Sequence, residues 1–256
     1  LGALTAAHVA SAAKDADAQV REAALRRVSM LDEAALASLV ADASPRVRFQ
    51  TALAAPKSAS RDAWLAKMAR EGVNGIWMSA AVLGDAGSGL FQQLRGDLSK
   101  LEPSFAESLI TLAAAEGKDA AALIAVVTTE PVKASWVKAL GDGLRRAGSN
   151  LTKADNDGKL AAILAKASET AANVQASSSS RLDAIELLGV SSSKEAQTAL
   201  IACLGEKQPE AVQAAAIRVL APNGSEAVTA ALIGNWAHYG PKAQNVALET
   251  LLARDD

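Results

Sequence analysis

The residue types that most often carry out chemistry are few and widely spaced in this chain. It has two histidines, His8 and His238, and one cysteine, Cys203. A structural zinc site needs about four close ligands, and a nucleophilic site needs a base in contact with its nucleophile; neither grouping stands in the sequence. We therefore predict a protein that is not an enzyme, with no catalytic residue, metal site or cofactor, and with Cys203 as a small buried residue.

One acidic segment, KADNDGKL (153–160), has some features of a calcium-binding loop. Alignment on Gly158 puts Asp155 and Asp157 at ligand positions. The same alignment puts Lys153 and Leu164 at positions where a calcium loop requires acidic side chains. We therefore predict a solvated turn that caps a helix beginning at Lys159.

The aromatic residues are scarce enough to be considered one by one. Three tryptophans stand at core-like helical spacing, and we expect them to pack: Trp64, Trp77 and Trp136. The segment NWAHYG contains Trp236, His238 and Tyr239 at a predicted helix end. Packing at a joint between repeats is the first interpretation, and an anchor for a ligand or partner is the alternative, because Trp and Tyr are enriched in binding hot spots.

Composition indicates a helical protein without a strong attraction for nucleic acid. Apolar residues make up 50% of the chain and aromatic residues only 3%, and the abundant Ala and Leu are strong helix formers. The formal net charge is −2, whereas proteins that neutralise phosphates usually carry a basic excess. No apolar run reaches the length of a transmembrane helix, so we expect no association with a membrane.

A repeat with a period of about 30 residues runs along the chain and suits a pair of short helices with two turns. Each repeat has an anchor residue, followed three and four positions later by a small and an aliphatic residue. The anchors are Arg21, Phe49, Met78, Phe105, Trp136, Arg181, Gln213 and Gln244. The interval between Trp136 and Arg181 is longer than the others. We interpret the segment 148–180 as an irregular repeat or a hinge, because it holds the serine run ASSSS, which is unfavourable inside a helix.

Further helical segments lie between most anchors, and cap-like serines and chain breakers mark their ends. The segments are 32–41, 61–70, 159–168, 194–204 and 225–237. The predicted caps are Ser60, Ser193 and Ser225, and the predicted joints are Pro45, Gly75, Pro209, Gly224, Gly240 and Pro241. No segment alternates with period two. We predict an all-α fold, an α-α superhelix, or solenoid, of about eight helical hairpins.

The turn before Pro45 has a counterpart one repeat earlier, in the segment DADAQVR (15–21). Pro45 suits the first turn of a helix, and Asp42 is expected either to cap that helix or to pair with Arg48. We predict that Val20 and Val47 face the core. The arginines are expected to point along the stack toward an acidic residue of a neighbouring repeat.

These turns resemble those of the HEAT-repeat family, in the segments DADAQVR (15–21), DASPRVR (42–48) and QPEAVQAAA (208–216). HEAT repeats often carry an aspartate in the turn between their helices and an arginine or lysine on the second helix. The resemblance implies a structural ladder, in which these turn and second-helix side chains link successive repeats. In later repeats of this chain, glutamine takes the place of the arginine or lysine. Its predicted members are Asp15, Asp17, Arg21, Asp42, Arg46, Arg48, Gln213 and Gln244.

A longer set of segments is similar to the HEAT segment of large planctomycete and verrucomicrobial envelope proteins. The set is PRVRFQTALAA (45–55), GIWMSAAVLG (75–84), LGEKQPEAVQAAAIRVL (204–220) and a closing W…GPKAQNVALETLLAR (236–254). In such proteins this segment lies between a propeller-like dehydrogenase domain and a C-terminal c-type haem domain. The resemblance implies a periplasmic or cell-envelope location. It does not imply haem attachment, because the sequence has no C-x-x-C-H.

The sequence therefore predicts a non-catalytic repeat scaffold that binds a protein or a neighbouring domain of the same chain. The alternative is a HEAT-like nucleic-acid-binding protein or DNA glycosylase, which would need a basic concave groove. The acidic residues among the early arginines and lysines argue against that alternative. Because the chain begins with Leu1 and has no signal core, we expect residues 1–256 to be a single-domain fragment of a longer protein.

Overall fold

The computed structural model describes residues 4–73, 75–84, 87–191, 193–222 and 225–253. Within these ranges the chain is helical, with 17 α-helices and no strand, which confirms the prediction of an all-α fold. Gly224, one of the predicted joints, lies outside the described residues. Among the described helices, none is both long and apolar enough to cross a membrane.

The chain divides into two compact units, of which the first is Leu1–Asp119. Its helices are α1 Ala6–Ala12, α2 Ala18–Leu25, α3 Glu33–Val40, α4 Pro45–Ala54, α5 Ala59–Glu71, α6 Ile76–Leu83, α7 Ser88–Leu94 and α8 Pro103–Ala115. Consecutive helices pack in pairs, α1 with α2 through α7 with α8. In addition α2, α4, α6 and α8 pack side by side in that order, and so do α3, α5 and α7. The helices of this unit therefore form two rows.

The second unit is Ala120–Asp256. Its helices are α9 Ala120–Val127, α10 Ala134–Arg146, α11 Leu151–Ala154, α12 Lys159–Ala172, α13 Ser178–Leu188, α14 Lys194–Ala202, α15 Glu210–Leu220, α16 Glu226–Gly234 and α17 Pro241–Leu252. One row of packed helices contains α10, α13, α15 and α17, and another contains α9, α12 and α14. The irregular segment 148–180 lies wholly inside this unit, so the division of the chain falls elsewhere.

Serine caps start several helices, and one predicted cap is wrong. The hydroxyls of Ser193 and Ser225 accept from backbone amides in the first turns of α14 and α16, as predicted. At α5 the cap is Ser58, whose hydroxyl accepts from an amide in the first turn, and not Ser60. Ser58 has the extended backbone that a cap requires, so the helix begins two residues early and Ser60 becomes part of its first turn. Pro45 is the first residue of α4.

The apolar core lies where helices are covered on both sides. Val47 is completely buried, but Val20 is 37% exposed, so the prediction that both face the core is wrong for Val20. The reason is position in the row: α4 packs between α2 and α6, whereas α2 is the first helix of that row in the described chain. Helical spacing identifies the face of a helix and does not show what covers it.

The serine run 176–180 lies at a helix start, where its hydroxyls are useful. Ser177 is the N-cap of α13, and its side chain accepts from the amide of Ser180. Serines compete with the backbone inside a helix, but at the first turn they satisfy amides that have no partner. The run therefore begins a regular helix that packs against α12 and α15.

Candidate functional site

The turn residues of the first two hairpins are joined by a two-point ion pair. The Nε of Arg21 lies 2.7 Å from Oδ2 of Asp42, and its Nη2 lies 2.8 Å from Oδ1. The hydrogen bond from Arg21 lowers the pKa of the Asp42 carboxyl, and the same contact raises the pKa of Arg21. Because Arg21 is on α2 and Asp42 precedes α4, this pair links one hairpin to the next.

Both turns also use their arginine to bind backbone carbonyls. Arg21 Nη1 donates to the carbonyl oxygens of Asp15 and Ala16. Arg48 Nη1 makes the equivalent bonds to the carbonyls of Asp42 and the next residue, at 2.6 and 3.2 Å. Arg48 thus bonds to the backbone of Asp42, while the carboxylate faces Arg21 and accepts from the Ser44 amide.

The remaining acids of the predicted ladder hold the turns locally. Asp15 Oδ1 accepts from the amide of Asp17, and Asp17 in turn caps α2 by accepting from the amide of Gln19. Arg46 pairs across helices with Glu22, with 3.1 Å between Nε and Oε2. The arginine of that pair is 75% exposed and the glutamate 14% exposed.

In the second unit the corresponding glutamine of α15 binds backbone carbonyls. Gln213 is buried and its Nε2 donates to the carbonyls of Leu204, Gly205 and His238, at 3.1 to 3.3 Å. Gln244 is half-buried in α17. Of the three carbonyls bonded to Gln213, those of Leu204 and Gly205 belong to the turn before α15, and that of His238 lies one hairpin further along the chain.

Arg181 is not among the predicted ladder members, yet it is almost completely buried. It is 2% exposed, its Nε donates to the carbonyl of Ala171 at 2.9 Å, and its Nη2 donates to the side chain of Gln208. The signal that identifies it is present in the sequence, because Arg181 occupies the same anchor position as Arg21.

An exposed apolar surface lies on α2, α4 and α6, and we call it the Trp77 face. Its members are Glu22, Arg46, Phe49, Gln50 and Trp77, together with Ile76, which directly precedes Trp77 in the first turn of α6. All except Ile76 line a cavity of about 370 Å³, and Ile76 and Trp77 are 78% and 77% exposed. The prediction that Trp77 packs in the core is therefore wrong, because no helix of the described residues covers the first turn of α6. Trp64 and Trp136 are half-buried.

The aromatic cluster near the end of the second unit is divided between core and surface. Tyr239 is 5% exposed, and burial raises its pKa to about 12. Its ring meets that of Trp236 edge-on, with 6.4 Å between centroids. Trp236 and His238 retain exposed surface. Tyr239 thus packs at the joint, which leaves only the other two within reach of a partner.

The residues that could do chemistry are divided between the two units. His8 is in α1 and His238 is in the 3-10 helix Trp236–His238 of the second unit. Cys203 is buried, and burial raises the pKa of its thiol. Within the described ranges, no three His, Cys, Asp or Glu residues are grouped so that they could hold a metal ion.

No family model, curated protein or solved structure matches the chain.

Proposed function

We propose that the chain is a HEAT-like α-solenoid that serves as a non-catalytic scaffold and binds a protein partner through the Trp77 face. Two features support a solenoid. Alternate helices pack side by side within each unit, and side chains of second helices bind the turn between the two helices of their own hairpin. A hairpin repeat cannot bury its apolar face alone, and stacking leaves a long surface for partners.

The exposure of Ile76 and Trp77 is the observation that carries the binding role. Burying a large apolar side chain is worth about 1.5–3 kcal/mol, and neither residue gains that energy from the part of the chain that the structure describes. Tryptophan is the residue type most enriched in binding hot spots. Beside it, Phe49 lines a cavity wide enough to receive an apolar side chain from a partner.

The polar groups around the Trp77 face favour a protein over nucleic acid. Arg46 is the cation of this face, and it is already paired with Glu22. Gln50 adds a neutral amide beside the cavity. An apolar centre with a mixed polar rim is typical of protein interfaces, whereas phosphate binding requires basic groups that are not already neutralised.

We further propose that the partner is a protein or a neighbouring domain within a larger multidomain envelope oxidoreductase. The resemblance of segments 45–55 and 204–220 to HEAT segments of such proteins supports this context. The first of these segments contains Phe49 and Gln50 of the Trp77 face. In this arrangement the chain positions other domains and performs no reaction itself, in a periplasmic or cell-envelope location.

A matched pair of isoleucine substitutions tests the binding role. Ile76→Ala removes apolar surface from the Trp77 face, and Ile233→Ala removes the same group from α16, where Ile233 is 60% exposed. Proteins recovered with each tagged variant from the native cell would be quantified by mass spectrometry. The affinity of the recovered partner would then be measured by calorimetry, with Trp77→Ala as a third variant.

We expect Ile76→Ala and Trp77→Ala to weaken binding by about tenfold or more, since hot-spot truncations cost over about 1.4 kcal/mol. Ile233→Ala should leave the affinity unchanged. Equal affinities for all variants would contradict the proposal. Tight binding to duplex DNA with a steep dependence on salt would favour the nucleic-acid alternative instead.

A further inference from the structure

A second cavity lies in the second unit and is separate from the Trp77 face. Its volume is about 550 Å³, and residues of α10, α11, α12 and the start of α14 line it. Proteins hold small organic molecules in cavities of about 300–1,000 Å³. The apolar part of the wall includes Leu151, Leu160 and Leu164. The cavity therefore has the size and the apolar surface that a small organic ligand requires.

A carboxylate with an unused oxygen stands on the wall of this cavity. Asp155 lies between α11 and α12, and its Oδ2 accepts from the amide of Ala161, at 2.9 Å, in the first turn of α12. Its Oδ1 is buried and has no hydrogen-bond partner among the described residues. Buried polar atoms in proteins nearly always have a partner. This oxygen has almost no exposed surface, so a ligand in the cavity would donate to it only after the carboxyl group rotates.

The charges around the cavity favour a positive ligand. Glu195 contributes a second carboxylate to the wall. Arg145 contributes a guanidinium, but that group pairs with Asp142, which is not part of the wall. An anionic ligand would meet two carboxylates and a cation that is already neutralised. A cationic ligand would find a carboxylate with one oxygen that still lacks a donor.

We propose that this cavity binds a small organic amine in its protonated form. The ammonium group donates to Asp155, and the aliphatic or aromatic body packs against Leu151, Leu160 and Leu164. Charge-assisted hydrogen bonds are stronger than neutral ones, so the charge of the amine supplies affinity and the leucines select an apolar body. This site does not depend on the protein-binding role proposed for the first unit.

A set of three probes with one tail length tests the choice of ligand. n-Hexylammonium, n-hexanol and hexanoate would each be titrated into the full chain and followed by amide chemical shifts in ¹⁵N NMR spectra. The Ala161 amide is a direct reporter, because it is bonded to Asp155. We expect saturable shifts with n-hexylammonium at about millimolar concentration, as suits a ligand of this size. Hexanol should bind about tenfold more weakly, and hexanoate should not bind.

Two variants and a control identify the residues responsible. Asp155→Asn keeps an oxygen acceptor for the Ala161 amide and removes the charge, so it should weaken n-hexylammonium binding by about tenfold or more. Ala165→Leu keeps the carboxylate and fills part of the cavity, and it should abolish binding of all probes. Asp157→Asn is the matched control, because the side chain of Asp157 is 72% exposed and does not line the cavity.

The proposal is overturned if n-hexylammonium produces no saturable shift. It is also overturned if wild type and Asp155→Asn bind n-hexylammonium equally, or if hexanol binds as tightly as the amine. Circular dichroism of each variant would show whether it is folded. If Asp155→Asn proved unfolded, the comparison of Ala165→Leu with wild type and of the amine with hexanol would decide the question.

Discussion

Replacement of Arg181 by alanine should destabilise the second unit by about 3 kcal/mol. The side chain is 2% exposed and donates to the carbonyl of Ala171 and to the side chain of Gln208. Hydrogen bonds from charged groups contribute about 1.5–3 kcal/mol each. Ala171 lies in the last turn of α12, so the positive charge also meets the negative end of the helix dipole.

An opposing effect reduces the expected loss. Among the described residues no carboxylate forms an ion pair with Arg181, so the folded chain bears the desolvation of a buried charge. Arg181→Ala removes that charge and so recovers several kcal/mol of desolvation energy. The same variant also loses stability, because it leaves a cavity and two acceptors without donors. Arg181→Met retains most of the volume and removes the charge, so its loss should be smaller, about 1–2 kcal/mol.

Cys203 provides the assay, because it is the single cysteine and is buried in the same unit. A thiol reagent reaches Cys203 only when this part of the chain opens. Because Arg181 partly offsets the rise that burial causes in the pKa of this thiol, each labelling rate is divided by the rate for the same variant unfolded in urea, and the ratio reports the population of open molecules. A loss of about 3 kcal/mol corresponds to roughly 100-fold faster labelling. Urea denaturation followed by circular dichroism would give an independent value.

The control for Arg181→Ala is Arg218→Ala, at an exposed helical position of the same unit. Surface substitutions of this kind usually change stability by less than about 0.5 kcal/mol. If Arg181→Ala labelled no faster than Arg218→Ala, the buried arginine would not hold the end of α12, and the reasoning would be refuted.

Three further predictions concern the ladder and the core. The pKa of Asp42 is lowered because Arg21 donates to it. The ion pair therefore stabilises the fold above the ordinary pKa of aspartate, and this stabilisation is lost as the pH falls through the lower pKa of the folded state. In thermal melts, Asp42→Asn should melt at a lower temperature than the wild type at neutral pH, and the difference should shrink below about pH 4. Gln213→Ala leaves three carbonyls without this donor and should cost about 1–3 kcal/mol in urea denaturation, whereas Gln244→Ala, its control, should cost under about 0.5 kcal/mol. Ala216 is fully buried in α15, so Ala216→Arg should cost more than about 4 kcal/mol and give an unfolded second unit by circular dichroism.

The sequence predicted local structure well because local structure depends on neighbours in the chain. The start of α12 at Lys159 and the caps at Ser193 and Ser225 follow from cap chemistry and helical spacing. The anchor pattern also placed Arg181 and Arg21 at equivalent positions of second helices. These features need only a few adjacent residues to be specified.

Features that depend on coverage by other helices were not predictable from the sequence. Trp77 and Val20 stand at apolar positions of their helices, but packing decides whether such positions are buried, and both are exposed. The Asp155 cavity is formed by helices from three hairpins. Spacing along the chain contains no signal for it, although the turn that contains Asp155 was recognised as a cap for α12.

The most direct test of the protein-binding role is site-specific photo-crosslinking in the native cell. A benzophenone amino acid would replace Trp77 in one variant and Ile233 in the other, and the adducts would be identified by mass spectrometry. We predict one dominant protein adduct at position 77 and none in common with position 233. A nucleic-acid adduct at position 77, or the same adducts at both positions, would contradict the proposal that the Trp77 face binds a protein.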